Sequence, residues 1–151
     1  MALRPDRNEF LTDLSFFMNE TAERGIIVVH DTGGSGAAMD DANATVKIPS
    51  DGVSGTNPAG LLLNDVVNLD LTRQHINFAK DEMQQGGKVL LLRIGTVVTD
   101  QVSGTPTIGA DAYYNLAGSV SATDPGNSTV IGRFLSLKDA DGYAKVSVNI
   151  K

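Results

Sequence analysis

The chain holds two histidines and no cysteine, so acid–base chemistry near neutral pH rests on His30 and His75, and thiol catalysis, disulfides and thiolate metal sites are excluded. His30 precedes Asp31, which would orient its ring only across a sharp turn. His75 lies in the polar run Arg73-Gln74-His75, a contact surface as readily as a site, so both histidines are read as structural. A Gly-x-Ser-x-Gly nucleophile elbow is missing: Gly33 to Ala37 reads Gly-Gly-Ser-Gly-Ala, and Ser54 and Ser103 lack the flanking pattern. Gly33-Gly34-Ser35-Gly36 is followed by Ala37-Ala38-Met39 rather than the Lys-Ser/Thr pair of a phosphate-binding loop, so it reads as a flexible turn. Asp139-Ala140-Asp141-Gly142 starts like a calcium loop but has Val148 where the bidentate Glu belongs, so it reads as a hairpin turn. Asp31 with Asp40-Asp41 could gather a hard cation, but adjacent loop carboxylates are ordinarily solvated charge. The expectation is a protein that is not an enzyme and carries no cofactor and no metal.

The elements that would position these residues are short strands. Sixteen glycines and five prolines fall mostly between apolar runs, the punctuation of tight turns. Ala144, Val146, Val148 and Ile150 alternate with Tyr143, Lys145, Ser147 and Asn149, the period of two of a half-buried strand. Asp139 to Gly142 should link it as a hairpin to an interior strand within Thr129 to Leu137. Ala112 to Leu116 and Ser119 to Thr123 flank Ala117-Gly118 as a second hairpin. Lys88 to Thr99 is the most apolar stretch, with Gly95 marking a bulge or bend. Gly25 to His30, Thr45 to Ile48 and Ala59 to Leu63 complete the strand candidates, while Asp70 to Gln85 is left between a long connection and an irregular strand. Together they predict an all-β fold, a barrel or sandwich.

At 151 residues the chain is one domain's worth, able to bury roughly 70% of its unfolded surface. Twelve basic against eighteen acidic residues leave a formal charge of −6, the wrong sign for gripping a phosphate backbone, so no nucleic-acid partner is expected. No run approaches the roughly 20 apolar residues of a membrane span, and the basic N-terminus lacks the apolar segment of a secretion signal; a soluble protein made in the cytoplasm is expected. Residues 1–23 stand apart as an arm: three of the five phenylalanines fall there, matching a helical face at 10, 11, 14, 17 and 18 and equally a strand alternating at 10, 12, 14, 16 and 18. An apolar tail of this kind docks onto something, either a partner or its own domain.

The second half resembles a known family. Gly109-Ala110-Asp111-Ala112-Tyr113-Tyr114-Asn115-Leu116-Ala117-Gly118-Ser119-Val120, then Val130-Ile131-Gly132-Arg133-Phe134-Leu135, then Asp139-Ala140-Asp141-Gly142-Tyr143-Ala144-Lys145-Val146-Ser147-Val148, is similar to the head decoration, or capsid cement, proteins of tailed bacteriophages. The likeness covers roughly the last sixty residues, with Ala59-Gly60-Leu61-Leu62 and Gly87-Lys88-Val89 as looser echoes. It implies a small β-barrel or β-tulip domain over 24–151, often a homo-trimer, that sits on the capsid exterior of the virion, contacts the major capsid protein and bridges neighbouring capsomers. The arm and the insert from Asn64 to Gln85 lie outside the shared pattern. With the arm mobile in the free chain and ordered on the shell, the expected contact residues are Phe10, Leu11, Leu14, Phe16, Phe17 and Met18, with Arg73 and His75 from the insert. Two rival readings are a tail-tube or baseplate protein and a small trimeric, dUTPase-like nucleotide hydrolase, whose Ala-Gly-Tyr-Asp and C-terminal glycine-rich patterns are missing here.

Overall fold

A computed structural model describes residues 3–31, 44–49, 56–65, 82–83, 85–126 and 129–150. Its strands are β1 (Asn8–Met18), β2 (Ala22–Glu23), β3 (Ile27–Asp31), β4 (Thr45–Lys47), β5 (Pro58–Asp65), β6 (Glu82–Met83), β7 (Lys88–Thr99), β8 (Val102–Ser103), β9 (Asp111–Tyr114), β10 (Val120–Ser121), β11 (Gly132–Phe134) and β12 (Ala144–Asn149). Ten of them form one mixed sheet in the order β1-β4-β3-β5-β7-β12-β11-β9-β10-β8, and β2 pairs with β6. The fold is all-β, as the turn-punctuated sequence predicts.

β7 organises the sheet. Five of its twelve residues, Val89, Leu91, Leu92, Val97 and Thr99, are buried and the others are half-buried. Antiparallel partners are β5 at Val89 to Leu92, β12 at Ile94 to Thr99 and β1 at Lys88 to Thr96. Because β1 also pairs in parallel with β4 at Phe17 and Met18, the hydrogen bonding closes a circuit β1-β4-β3-β5-β7. Every strand of that circuit contributes to one apolar cluster: Met18, Val28, Val46, Ala59, Leu62, Val89 and Leu91, with Ala22 and Ile26 beside them. Three of these strands, β3, β5 and β7, also face a larger cluster. There Ile27, Val29, Leu61, Leu63, Leu92 and Val97 meet Tyr114, Ile131, Phe134, Val146 and Val148. The period-two geometry of strands thus divides one sequence between two cores.

Both expected C-terminal hairpins form. β9 pairs with β10 around a 3₁₀ turn at Leu116–Gly118, and β11 pairs with β12. The Asp139 carboxylate accepts backbone N–H bonds from Asp141 and Tyr143 at 3.0 and 2.8 Å, so this aspartate closes a turn. The interior strand expected over Thr129 to Leu137 is shorter: only Gly132–Phe134 pair, while Val130, Leu135 and Leu137 are exposed. Gly132 has a steric reason for its identity, since a Cβ there would lie 1.8 Å from the Ser147 carbonyl oxygen. At Gly95 the close neighbour is β1: a Cβ would lie 2.3 Å from the Asn8 carbonyl oxygen, and the expected irregularity falls on β1, whose register shifts between Glu9 and Leu11. Most of Asp70 to Gln85 lies outside the described residues, though Glu82–Met83 pair with β2.

The N-terminal residues depart most from expectation. Instead of a mobile arm, they supply a strand of the main sheet, and both ends are held. Leu3 is buried in the larger cluster and bridges Thr99, Arg4 donates its backbone N–H to Val98 at 3.0 Å, and Met18 is fully buried in the smaller cluster. Pairing with β7 satisfies backbone groups that an isolated tail would leave to water. Deleting residues 1–18 should therefore strip one edge of β7 and both anchors, and the truncated chain is expected to unfold or aggregate. The milder Met18→Ala should cost about 2–5 kcal/mol in denaturant unfolding. Retention of wild-type stability by the truncated chain would show that β1 is dispensable to the fold.

Candidate functional site

β1 divides the expected contact residues into three environments. Phe10, Leu11 and Leu14 are exposed, Phe10 to 82%. Phe16 and Phe17 are half-buried: Phe16 packs against the smaller cluster and the His30 ring, with centroids 5.3 Å apart, while the Lys88 ammonium lies 5.8 Å from the Phe17 ring centre. Met18 is wholly buried and cannot touch a partner, which corrects its place among the contact residues. Arg73 and His75 lie outside the described residues, as do the Gly33 to Gly36 turn and Asp40-Asp41.

Asn8 to Thr12 are all exposed, so both faces of β1 meet solvent there, and Phe10, Leu11 and Leu14 are the large apolar residues among its exposed positions. β1 slips against β7 between Glu9 and Leu11, between Leu11 and Thr12, and between Asp13 and Phe16. Each slip changes which face the next side chain takes. The C-terminal end of β1 anchors the core while Phe10, Leu11 and Leu14 meet solvent. Large side chains held on a strand lose little freedom on docking, so they suit a contact surface.

Beside this strand lies a titratable group that sequence reasoning missed. Asp13 on β1 faces Arg93 on β7, Oδ2 to Nη1 at 3.9 Å, and His30 on β3 feels both charges. Burial lowers the His30 pKa and the Arg93 charge lowers it further, against the opposing pull of Asp13. At Asp13 burial acts to raise the pKa, but Ser15, which donates both its backbone N–H and its hydroxyl to the carboxylate, and Arg93 outweigh it, leaving the carboxyl below its ordinary value. The three residues are separated by tens of positions in the chain, so no spacing could announce the group. The Ser15 hydroxyl donates to the Asp13 carboxylate, whose lowered pKa makes it a weak base. Among the described residues no three His, Asp or Glu side chains converge as metal ligands would. What the group does is tie β1 to the body of the sheet by charge.

On another face, Asp111, Val130, Gly132, Arg133, Leu135, Ser147 and Asn149 line an open depression of about 380 Å³ across β9, β11 and β12. Comparison with known proteins identifies no relative: no protein-family model matches the chain, and no curated protein matches it.

The charge group makes a pH prediction with a definite sign. His30 binds its proton less tightly in the folded chain than in the unfolded one, so it costs nothing above the unfolded value of 6.5. That cost appears as pH falls from there through the folded-state pKa. Asp13 stabilises the fold above 3.8, and its contribution is lost as pH falls through its own lowered pKa. Both act in one direction, so stability should decline on acidification. NMR titration of His30 is expected to give a pKa below 6.5, raised in Arg93→Gln and lowered further in Asp13→Asn. A pKa at or above the ordinary value would refute this reading of the group.

Proposed function

We propose that this protein is a structural component of a tailed-phage virion that binds the outer surface of the mature capsid and stabilises it by bridging capsomers. The observation carrying the reading is the exposure of Phe10, Leu11 and Leu14 on a strand fixed at both ends, large apolar side chains left in solvent on an otherwise acidic protein. It is supported by the resemblance of the last sixty or so residues to head decoration proteins, which falls on the β9 to β12 hairpins that build the larger core. In this proposal the closed strand circuit is a small barrel, the major capsid protein is the partner, and the unit that docks is a homo-trimer. Because β1 is already ordered, docking is by a preformed surface rather than by folding of a tail, and little ordering entropy opposes it. Each contact is modest, and the mechanical effect comes from many copies linking adjacent capsomers.

The test is rebinding to expanded capsids stripped of the protein. Wild type should raise the temperature at which shells rupture. Phe10→Ser and Leu14→Ser should keep the melting temperature of the free protein but lose more than about 1 kcal/mol of shell affinity each, some fivefold or more. Equal rupture temperatures with and without bound protein would overturn the proposal, as would assembly into hexameric rings on its own, the behaviour of a tail-tube subunit. Native mass spectrometry should show a trimer in solution or on the shell, and a monomer in both would remove the trimer from the reading.

A further inference from the structure

The strands of the C-terminal hairpins carry a second exposed surface. β9, β11 and β12 turn Ala112, Phe134, Val146 and Val148 into the larger core, while Asp111, Arg133, Ser147 and Asn149 line the open depression of about 380 Å³. Val130 and Leu135 line it too, 46% and 39% exposed, and Gly132 adds no side chain to it. Aliphatic side chains left in solvent around a concavity mark a contact surface.

The charges on this surface are unspent. Arg133 and Asp111 are register partners on adjacent antiparallel strands, and both are exposed. Among the described residues neither side chain forms an ion pair or a hydrogen bond, with the other or with anything else, and the same holds for the Ser147 hydroxyl and the Asn149 amide. Lys145 shares this face of β12 but lies outside the depression. A free cation beside a free anion makes a self-complementary pattern: a half-turn about an axis between them sets each charge opposite its counterpart. That is the property an isologous interface requires, in which residue i of one copy meets residue j of the other and j meets i.

We infer that this face is an interface between two copies of this chain related by a two-fold axis, with each Arg133 paired to the other copy's Asp111 and with Val130 and Leu135 packed around the charges. The planar guanidinium suits the role, since it takes a carboxylate through two parallel bonds and so fixes orientation. Charge pairs of this kind set register and exclude wrong partners more than they add affinity, so the association is concentration-dependent and salt-sensitive. The inference uses neither Phe10 nor Leu14 and does not rest on capsid binding. A trimer formed through another face would be doubled by it.

The test is sedimentation velocity of the full chain over a concentration series reaching about 1 mM, at low salt. Wild type should double the mass of its smallest assembly as concentration rises. Arg133→Asp and Asp111→Arg, each placing like charges opposite one another, should weaken the doubling by about tenfold or more while keeping the wild-type melting temperature, because neither side chain has a partner within its own chain to lose. An equimolar mixture of the two variants should restore it, since one copy then carries Asp at both positions and the other Arg at both. Only a two-fold contact predicts that rescue; a pair made within one chain, or a head-to-tail contact of this face with another, does not. Phe10→Ser should leave the doubling unchanged, which separates this contact from the one used in capsid binding. Absence of doubling in wild type, single variants that associate like wild type, a mixture no better than either variant alone, or loss of doubling in Phe10→Ser would each overturn the assignment.

Discussion

The constraint on which the molecule depends is that β7 must have partners along both edges. It is the most apolar strand of the chain, every residue of it buried or half-buried, and each unpaired backbone group on it would be an N–H or C=O withheld from water. β5 and β12 divide one edge between them, and β1 takes the other. This accounts for the two glycines at the tightest approaches. Gly95 lets the β1 backbone come close to β7, and Gly132 lets β11 lie against β12. Side chains at either point would collide with a carbonyl oxygen, which no rotamer can relieve.

Two cores follow from that arrangement. Ile27 and Val29 face one cluster and Ile26 and Val28 the other, so β3 needs cover on both sides, which the closed circuit supplies on one and the C-terminal hairpins on the other. Two buried hydroxyls within this interior are matched. The Tyr114 hydroxyl meets the Thr56 hydroxyl and carbonyl at 2.7 and 3.1 Å, and the Thr99 hydroxyl donates to the Gly25 carbonyl. A scaffold this closely tied can hold an exposed apolar strand segment still, which is what a docking surface requires of it.

Charge acts as a fastener in the same design. Asp13 and Arg93 link β1 to β7, while Arg4 clips the start of the chain onto the Asp139 to Tyr143 turn by ion pairs and by stacking on the Tyr143 ring. Partly exposed pairs such as these contribute little stability singly, but they fix where the N-terminal segment lies. Arginine serves here because its planar group can stack and form ion pairs at once.

Strand identity was legible wherever the period of two and the turn residues agreed, as at Ala144 to Ile150 and around Ala117-Gly118, because alternation and left-handed turn positions are local properties of a sequence. The apolar content of the first 23 residues marked Phe10, Leu11, Leu14, Phe16, Phe17 and Met18 together as candidate contacts, since excess apolar surface can be counted without a fold. What composition could not say is which of those side chains face inward. Periodicity alone left helix and strand equal there, and pairing with β7 and β4 made the segment a strand with Met18 in the core and Phe10 at the surface. Nor could spacing bring together Asp13, His30 and Arg93. That grouping arises from pairing between strands distant in sequence, and long-range pairing is set by how the chain covers both edges and both faces of β7, a property of the whole sheet.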